Sequence, residues 1–189
     1  MLAAILHLKG AAVAHKGKSF LFLGRGGNGK TELVKAMCAN GAGLMTNTHL
    51  LVDGGSVYGV KSNIRVRDDG QDVYIPVDEE LKVHDGWLPI GGVFWVKYRT
   101  DGRAVVRTLP SDYARANLQY FSESIRNWEL KEDIADYLNS DPFELAEHMN
   151  GIDKMLTEFC ETHYIRYMNL DIFSDQGMEA LISAMEVAH

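Results

Sequence analysis

The stretch SFLFLGRGGNGKTELVKAMCANG, residues 19–41, decides how this chain folds. Its opening residues SFLFL are mostly apolar and predict a buried strand, whereas TELVKAM, residues 31–37, predicts a helix with one apolar face. Between them, GRGGNGKT at residues 24–31 matches the pattern G-x-x-x-x-G-K-[ST] in full. A strand before this pattern and a helix after it are the context in which it indicates a phosphate-binding loop.

Each residue type in residues 24–31 has a physical reason to be there. Glycines allow backbone N–H groups to turn inward around a polyphosphate, and the following helix directs the positive end of its dipole at the same anion. Lys30 is expected to reach the β- and γ-phosphates, and the Thr31 hydroxyl is expected to ligate Mg²⁺. The alternative is a glycine-rich turn without a ligand. The residues expected to bind the nucleotide, ATP or GTP, are Gly24, Arg25, Gly26, Gly27, Asn28, Gly29, Lys30 and Thr31.

The composition limits the classes of protein to which this chain can belong. Its 189 residues suit one domain, and a hydrophobic content of 46% permits a real core. Acidic residues outnumber basic ones by 26 to 19, which argues against the broad basic surface that nucleic-acid binding needs. No apolar run approaches membrane-spanning length, and the apolar start is expected to be a strand or hairpin and not a signal peptide. We therefore expect a cytoplasmic protein.

The segments around the loop predict an alternation of hairpins and helices. Residues 11–14 are expected to form a hairpin with the strand that precedes the loop, and Asp-Gly-Gly and Asp-Asp-Gly turns predict further hairpins after the helix. GGVFWVKYR, residues 91–99, and AVVRTL, residues 104–109, are expected to pair around a turn at residues 100–102.

The last third of the chain is mostly helical in pattern. Residues 111–163 predict a helical block, residues 163–170 predict a strand, and the chain then closes with a helix. Together these elements predict one α/β domain over residues 1–189, with a mixed sheet, β-hairpins and flanking helices. The helical block is expected to shape the site of a phosphoryl acceptor.

The segment KGAAVAHKGKSFLFLGRGGNGKTELVKAM, residues 9–37, resembles the start of the HPr kinase/phosphorylase and PEP-carboxykinase-like P-loop fold. Residues 41–67 are similar to that family's next strand, its acidic metal motif and a hairpin, and residues 93–118 and 164–185 are similar in layout. The resemblance therefore spans nearly the whole chain. It implies an ATP-dependent kinase that phosphorylates a hydroxyl of a protein serine or a small molecule, and it implies a homo-oligomer by analogy.

The chain departs from the family at the residues that carry its chemistry. The family has a histidine before the first glycine, where this chain has Lys9, and it has paired aspartates where this chain has Asn47 and Thr48. In the family those aspartates bind metal and deprotonate the attacking hydroxyl. Asn47, a candidate metal ligand with Thr31, can orient metal-bound water, but neither Asn47 nor Thr48 can act as a carboxylate base.

Three other residues are candidates for the missing base. The ordinary pKa of a histidine such as His49 lies near neutrality, although a strand-end histidine can also simply bond to a backbone carbonyl. Asp53 ends the apolar run LLV as a catalytic strand-end acid would, with a hairpin turn as the alternative. Asp171 follows a predicted strand at the edge where α/β sheets bind ligands, and its alternative role is that of an acidic residue before the last helix.

Arginines are candidates for neutralising charge on a transferred phosphoryl group. Arg65 and Arg67 alternate on one predicted strand and therefore share a face. Arg25 and Arg99 are further candidates, and solvated surface charges are the alternative for each of these arginines.

The leading hypothesis from the sequence is an ATP-dependent phosphotransferase that acts on a small-molecule or peptide hydroxyl. Two alternatives stay open. The first is a nucleotide-binding accessory or regulatory protein with little chemistry of its own, which the missing aspartate pair favours. The second is an NTPase whose hydrolysis is stimulated by a partner.

Overall fold

A computed structural model describes residues 5–68, 71–76, 81–98, 104–121, 141–171 and 173–187 of the chain. Within these ranges the chain is an α/β protein with a mixed sheet. The strands are β1 (Leu6–Lys9), β2 (Ala11–His15), β3 (Lys18–Leu23), β4 (Gly43–Thr46), β5 (His49–Asp53), β6 (Ser56–Val60), β7 (Ile64–Asp68), β8 (Gln71–Ile75), β9 (Leu88–Tyr98), β10 (Ala104–Thr108) and β11 (Ile165–Leu170). The helices are α1 (Lys30–Ala39), α2 (Ser111–Phe121), α3 (Pro142–Thr162) and α4 (Asp175–Glu186).

The main sheet has the strand order β4-β2-β3-β9-β11-β10. Strands β3, β9 and β11 run parallel to one another, whereas β2 is antiparallel to β3 and to β4, and β10 is antiparallel to β11. Because β3, β9 and β11 are parallel, their carboxyl ends meet at one edge of the sheet. The segment GRGGNG, residues 24–29, follows β3 at that edge, and we call it the glycine loop.

A second antiparallel layer, β1-β5-β6, is joined to the main sheet through β9. The register pairs Val57 of β6 with Leu88 at the start of β9. The far part of β9 pairs with β3 and β11 instead. The hairpin β7–β8 forms a separate two-stranded sheet.

The alternation of side chains along β3 explains why helices and strands cover both of its faces. Phe20 and Phe22 are buried in a core with the helices α1 and α4. Leu21 and Leu23 are buried in a second core with β1, β5, α2 and α3. A strand that is apolar on both faces is typical of the centre of a parallel sheet.

Most elements predicted from the sequence are confirmed. The β2–β3 hairpin turns at Lys16 and Gly17, the helix after the loop is α1, and the strand near the end of the chain is β11. None of the helices in the described ranges combines the length and the apolar character needed to cross a lipid bilayer.

The predicted pairing of residues 91–99 with residues 104–109 is wrong. Strand β11 lies between β9 and β10, with Ile165 opposite Val93 on one side and Leu170 opposite Ala104 on the other. The burial of the strands explains this order, because β9 is buried on both faces and needs a neighbour on each edge, whereas β10 is mostly exposed and suits a sheet edge. The predicted turn at residues 100–102 and Arg99 lie outside the described residues.

Replacing Phe94 by alanine tests the core between the main sheet and the helices α1 and α4. Phe94 is fully buried and its ring lies 5.7 Å from that of Phe22, so Phe94→Ala should lower the free energy of unfolding by about 3–5 kcal/mol. The matched control is Phe143→Ala, because Phe143 is 81% exposed and its loss should change stability by less than about 0.5 kcal/mol. Urea unfolding measures the free energy of unfolding of both variants. An equal loss of stability in the two variants would contradict the assignment of Phe94 to the core.

Candidate functional site

The glycine loop has a backbone conformation that leads from β3 directly into α1. Gly27 and Gly29 have φ angles of 79° and 76°, in the left-handed region that glycine adopts without strain. Gly29 is the N-cap residue of α1, and no side chain caps the helix there. No capping side chain therefore accepts a hydrogen bond from the first N–H groups of α1. Helix starts that bind anions have the same feature, because the anion takes the place of the cap.

The ammonium group of Lys30 lies across the beginning of the loop. Its Nζ donates hydrogen bonds to the carbonyl oxygens of Gly24 and Arg25, each at 2.8 Å. Burial, together with the positive charge of Lys9, lowers the pKa of Lys30 from 10.5 to about 8. The Lys30 side chain is thus held against the first two residues of the loop.

The loop is bonded to strand β9 at Val96 and packs closely against the same residue. Asn28 donates from Nδ2 to the carbonyl oxygen of Val96 at 3.0 Å. Gly24 has a φ of 133°, and a Cβ placed there would lie only 2.7 Å from the same Val96 oxygen. Around Gly26, by contrast, a Cβ would meet no atom within 4 Å, so space is open on the outer side of the loop.

Residues 46–49, which the resemblance aligns with the family's acidic motif, form a tightly bonded turn. Thr46 donates from Oγ1 to Val60 O at 2.8 Å and accepts from the backbone N–H groups of Thr48 and His49. The buried Asn47 accepts from the Ser62 hydroxyl at 2.7 Å and donates to Asn63 O at 3.4 Å. Both ends of the Asn47 amide therefore help to hold the connection between β6 and β7.

A polar face of β1 and β5 lies beside this turn. The register pairs Lys9 with His49, and Nε2 of His7 is 3.1 Å from Nδ1 of His49 in a hydrogen bond. Gly10 donates its N–H to Thr48 O at 2.8 Å, which ties the end of β1 to the turn. We call His7, Lys9 and His49 the β1–β5 face.

Reasoning from the sequence identified His49 but missed His7 as its partner. The sequence feature that could have identified His7 is the alternation of apolar and polar residues in Leu6-His7-Leu8-Lys9. In the structure Leu6 and Leu8 are buried, and His7 and Lys9 occupy the other face of β1. That alternation predicts the face of each residue. It does not predict that β5, more than 40 residues later, pairs with β1, which needs the tertiary structure.

The structure does not bring Asp53 to the glycine loop. Asp53 ends β5 and pairs with Ser56 across a hairpin turn, so the hairpin alternative is confirmed. It lies at the opposite end of β5 from His49, about 13 Å away at 3.3 Å per residue. There it borders a separate cavity of about 440 Å³ that is also lined by Glu158 and His163.

Asp171 lies at the carboxyl end of β11, as predicted, but its side chain closes a turn. Its Oδ1 accepts the Phe173 N–H at 3.1 Å, and its backbone oxygen accepts the Ser174 hydroxyl at 2.9 Å. Ser174 is in turn the N-cap residue of α4. These contacts favour the alternative in which Asp171 prepares the start of the last helix.

Of the predicted arginines, Arg25 is exposed in the glycine loop, and Arg65 and Arg67 are placed only by their backbone. Arg65 and Arg67 lie on β7, opposite Tyr74 and Asp72 of β8, and their side chains are outside the described part of the structure. The backbone of Asn63, one residue before β7, contacts Asn47, so this strand starts next to the turn at residues 46–49.

The described residues do not build a resident metal site of protein carboxylates. Among them, no group of three or more His, Cys, Asp or Glu side chains is close enough to hold a metal ion. Thr31, which has a side-chain hydroxyl, lies in the first turn of α1. The Oδ1 atom of Asn47 already accepts a hydrogen bond from the Ser62 hydroxyl. This donor set fits a Mg²⁺ ion that arrives with phosphate oxygens and water as its other ligands, because Mg²⁺ commonly binds in that way.

The described residues thus form two polar groups, the glycine loop with Lys30 and the β1–β5 face with its two imidazoles. Backbone N–H groups of a glycine-rich loop and the start of a helix favour negative charge. No protein-family model matches the chain, and a search of curated proteins finds no match either.

Replacing Gly24 by alanine tests the contact between the loop and β9. Because the new Cβ would overlap the Val96 carbonyl oxygen and the φ is positive, Gly24→Ala should destabilise the fold by more than about 2 kcal/mol. Gly26→Ala is the control, since its Cβ has open space and its backbone is not left-handed, and it should change stability by less than about 0.5 kcal/mol. Equal thermal unfolding of the two variants would contradict this geometry.

The lowered pKa of Lys30 predicts a dependence of stability on pH. Its pKa is about 8 in the folded protein against an ordinary value of 10.5, so the unfolded chain binds more protons between these values. The free energy of unfolding of the wild type, measured relative to Lys30→Met, should therefore rise as the pH increases through this window, by about 3 kcal/mol at most. Urea unfolding of both proteins below pH 8 and near pH 10 measures this difference, and a flat or falling difference would contradict it.

Proposed function

We propose that this chain binds a nucleoside triphosphate at the glycine loop and transfers its terminal phosphoryl group to a hydroxyl acceptor. The observation that carries the proposal is the position of Lys30, whose ammonium group bridges the Gly24 and Arg25 carbonyls at the start of α1. The full G-x-x-x-x-G-K-[ST] pattern lies between a strand and a helix, at the carboxyl edge of a mixed sheet. This arrangement agrees with a P-loop core of the PEP-carboxykinase-like and HPr-kinase-like type.

Nucleotide binding would replace the internal bonds of Lys30 by stronger ones. Neutral carbonyl oxygens accept from its ammonium group in the structure. Phosphate oxygens are charged acceptors, and such hydrogen bonds are roughly twice as strong. A bound polyphosphate would also compensate the repulsion between Lys30 and Lys9. A Mg²⁺ ion that accompanies the nucleotide, with Thr31 as a protein ligand, would neutralise part of the phosphate charge.

The transfer step needs little covalent chemistry from the protein. The acceptor oxygen forms a bond to the terminal phosphorus, the bond to the bridging oxygen breaks, the nucleoside diphosphate leaves, and the hydroxyl proton passes to a base. We assign the base to Nε2 of His49, because its Nδ1 is held by His7 at 3.1 Å and this fixes the orientation of the ring. Positioning and charge neutralisation account for most of the catalysis of such reactions.

The acceptor is proposed to be a small molecule or a short peptide that binds between the loop and the helical block. Helices α2 and α3 both contact β1, the strand that carries His7 and Lys9. Both helices pack on the buried face of β1, against Leu6 and Leu8, and the proposal is that they shape the acceptor site from there.

A second candidate function is a nucleotide-binding accessory protein without transfer activity. The observation that favours it is Asn47, which stands where the related kinases have a carboxylate and which bonds to Ser62 and Asn63 instead. In this case the protein would bind the triphosphate and leave it intact, or hydrolyse it without forming a phosphorylated product.

The proposal predicts different effects for the two residues Lys30 and His49. With γ-labelled ATP and pools of metabolites and peptides, the wild type should label an acceptor, and Lys30→Ala should lose both nucleotide binding and transfer. His49→Gln should keep binding but lower the transfer rate by about 10²- to 10⁴-fold. Lys154→Ala, which removes an exposed charge on α3, is the control and should behave as the wild type.

Two outcomes decide between the candidate functions. If Lys30→Ala binds and turns over ATP normally, the glycine loop is not the nucleotide site and the phosphotransferase proposal fails. If the wild type binds ATP tightly but labels no acceptor in any pool, the accessory function replaces it.

A further inference from the structure

One buried polar atom at the carboxyl edge of the main sheet lacks a hydrogen-bonding partner. It is Oδ1 of Asn169 on β11, which accepts no hydrogen bond from any residue in the part of the chain that the structure describes. Buried polar atoms in folded proteins are almost always paired, so an exception needs a physical explanation. The residue as a whole is partly exposed, and a molecule from solvent can therefore reach its side chain.

The register of the sheet places Asn169 beside Lys97. Lys97 of β9 is directly opposite Asn169 in the parallel pair of β9 and β11. Each of the two is two residues beyond a side chain of the second core, Trp95 on β9 and Tyr167 on β11. Because alternate residues of a strand share a face, Lys97 and Asn169 lie on the face of the sheet against which α2 and α3 pack.

This pair of residues lies close to the glycine loop. Val96, the residue before Lys97, accepts the hydrogen bond of the Asn28 side chain, and a Cβ on Gly24 would lie 2.7 Å from the same carbonyl oxygen. Strand β11 is the next strand beyond β9. Asn169 is therefore about 10 Å, or two strand spacings, from the first residue of the loop.

Basic side chains lie on both strands that neighbour Asn169. Lys97 on β9 is exposed. On β10, Arg107 pairs with Tyr167, and its guanidinium group lies 5.3 Å from the centre of the Tyr167 ring. The first acidic residue after β11, Asp171, accepts the N–H of residue 173 through its carboxylate. An anionic molecule would therefore meet basic side chains here, next to an oxygen that needs a donor.

We propose that Asn169 and Lys97 bind the phosphoryl acceptor, and that this acceptor is an anionic molecule with an O–H or N–H group beside its negative charge. Lys97 binds the carboxylate or phosphate group, and Oδ1 of Asn169 accepts a hydrogen bond from the neighbouring O–H or N–H. An asparagine amide rotates readily about its last bond, so Oδ1 can turn toward a donor that enters from solvent. The identity of this ligand as the acceptor rests on the proposed function, whereas the binding of such an anion does not.

The transfer test sorts a pool of metabolites by charge. An anion-exchange resin divides the pool into a flow-through and a salt eluate, and each is incubated with the full chain and γ-labelled ATP. The wild type should label a molecule of the eluate and none of the flow-through. Lys97→Met and Asn169→Leu should each lower kcat/KM for that acceptor by about 10- to 100-fold and change the Kd for ATP by less than about threefold.

Two variants serve as controls for the transfer test. Lys97→Arg keeps the positive charge and should recover most of the activity. Lys154→Met removes a distant exposed charge and should behave as the wild type. Because Lys97 is exposed, its variants test the site without removing a side chain of the core.

A second measurement needs no nucleotide. Leucine is close to asparagine in size and has no polar side-chain atom, so Asn169→Leu removes the unpaired oxygen and should raise the midpoint of thermal unfolding by about 2–4 °C. Asn47→Leu is the control, because both ends of that buried amide are hydrogen-bonded and their loss should lower the midpoint. The salt eluate should raise the midpoint of the wild type, since a ligand stabilises the state that binds it, and should not raise that of Lys97→Met.

The outcomes separate this inference from the proposed function. A labelled acceptor in the flow-through, or an equal loss of ATP and acceptor binding in Asn169→Leu, overturns the assignment of these residues to an anionic acceptor. A lower midpoint for Asn169→Leu shows that Oδ1 is already paired, and it also overturns the inference, as does an eluate that stabilises the wild type and Lys97→Met equally or not at all. If the eluate stabilises only the wild type but no fraction is labelled from ATP, the proposed function fails and the anion site stands.

Discussion

The rest of the structure depends on the need of strand β9 for hydrogen-bonding partners on both of its edges. The side chains of residues 93–96 are buried on both faces, so the backbone groups of this part of β9 must be paired within the sheet. Strand β3 takes one edge, β11 takes the other, and β6 takes its first residues, which joins the two layers. The parallel direction of β3, β9 and β11 then brings their carboxyl ends to one edge. The glycine loop follows β3 at that edge, and its Asn28 side chain donates a hydrogen bond to the Val96 carbonyl oxygen of β9.

The loop imposes a second constraint, which concerns charge. The close approach of Gly24 to β9 and the left-handed glycines that follow leave room for Lys30 to fold back on the loop carbonyls. The end of β1 lies close to the start of the loop, because Gly10 is packed against Leu23 at the end of β3. Burial, and after it the positive charge of Lys9, lower the pKa of Lys30 to about 8. The proposed polyphosphate would give the Lys30 ammonium group charged acceptors in place of neutral carbonyl oxygens.

Much of the fold followed from local patterns, because those patterns act over a few residues. The strand–loop–helix unit, the β2–β3 hairpin and the hairpin at Asp53 were predicted from apolar runs and glycine turns. The pairing of β9 with β10 was predicted in the same way and was wrong. Two strands adjacent in sequence normally form a hairpin, but here a strand from about 60 residues later lies between them. Sequence patterns describe each strand's exposure and do not describe which strand becomes its neighbour.

The sequence by itself determined the candidate ligand-binding loop, since glycine φ preferences, a lysine and a helix start are local properties of residues 24–31. It also placed Asn47 and Thr48 at the positions where the kinase family that the sequence resembles has paired aspartates. Only the tertiary structure decided what surrounds the loop. The pairing of β1 with β5 joins His7 to His49, and the packing of Gly10 against Leu23 brings the end of β1 close to the end of β3. The physical reason is that these contacts join strands distant in sequence, and burial of both faces of the sheet specifies their register.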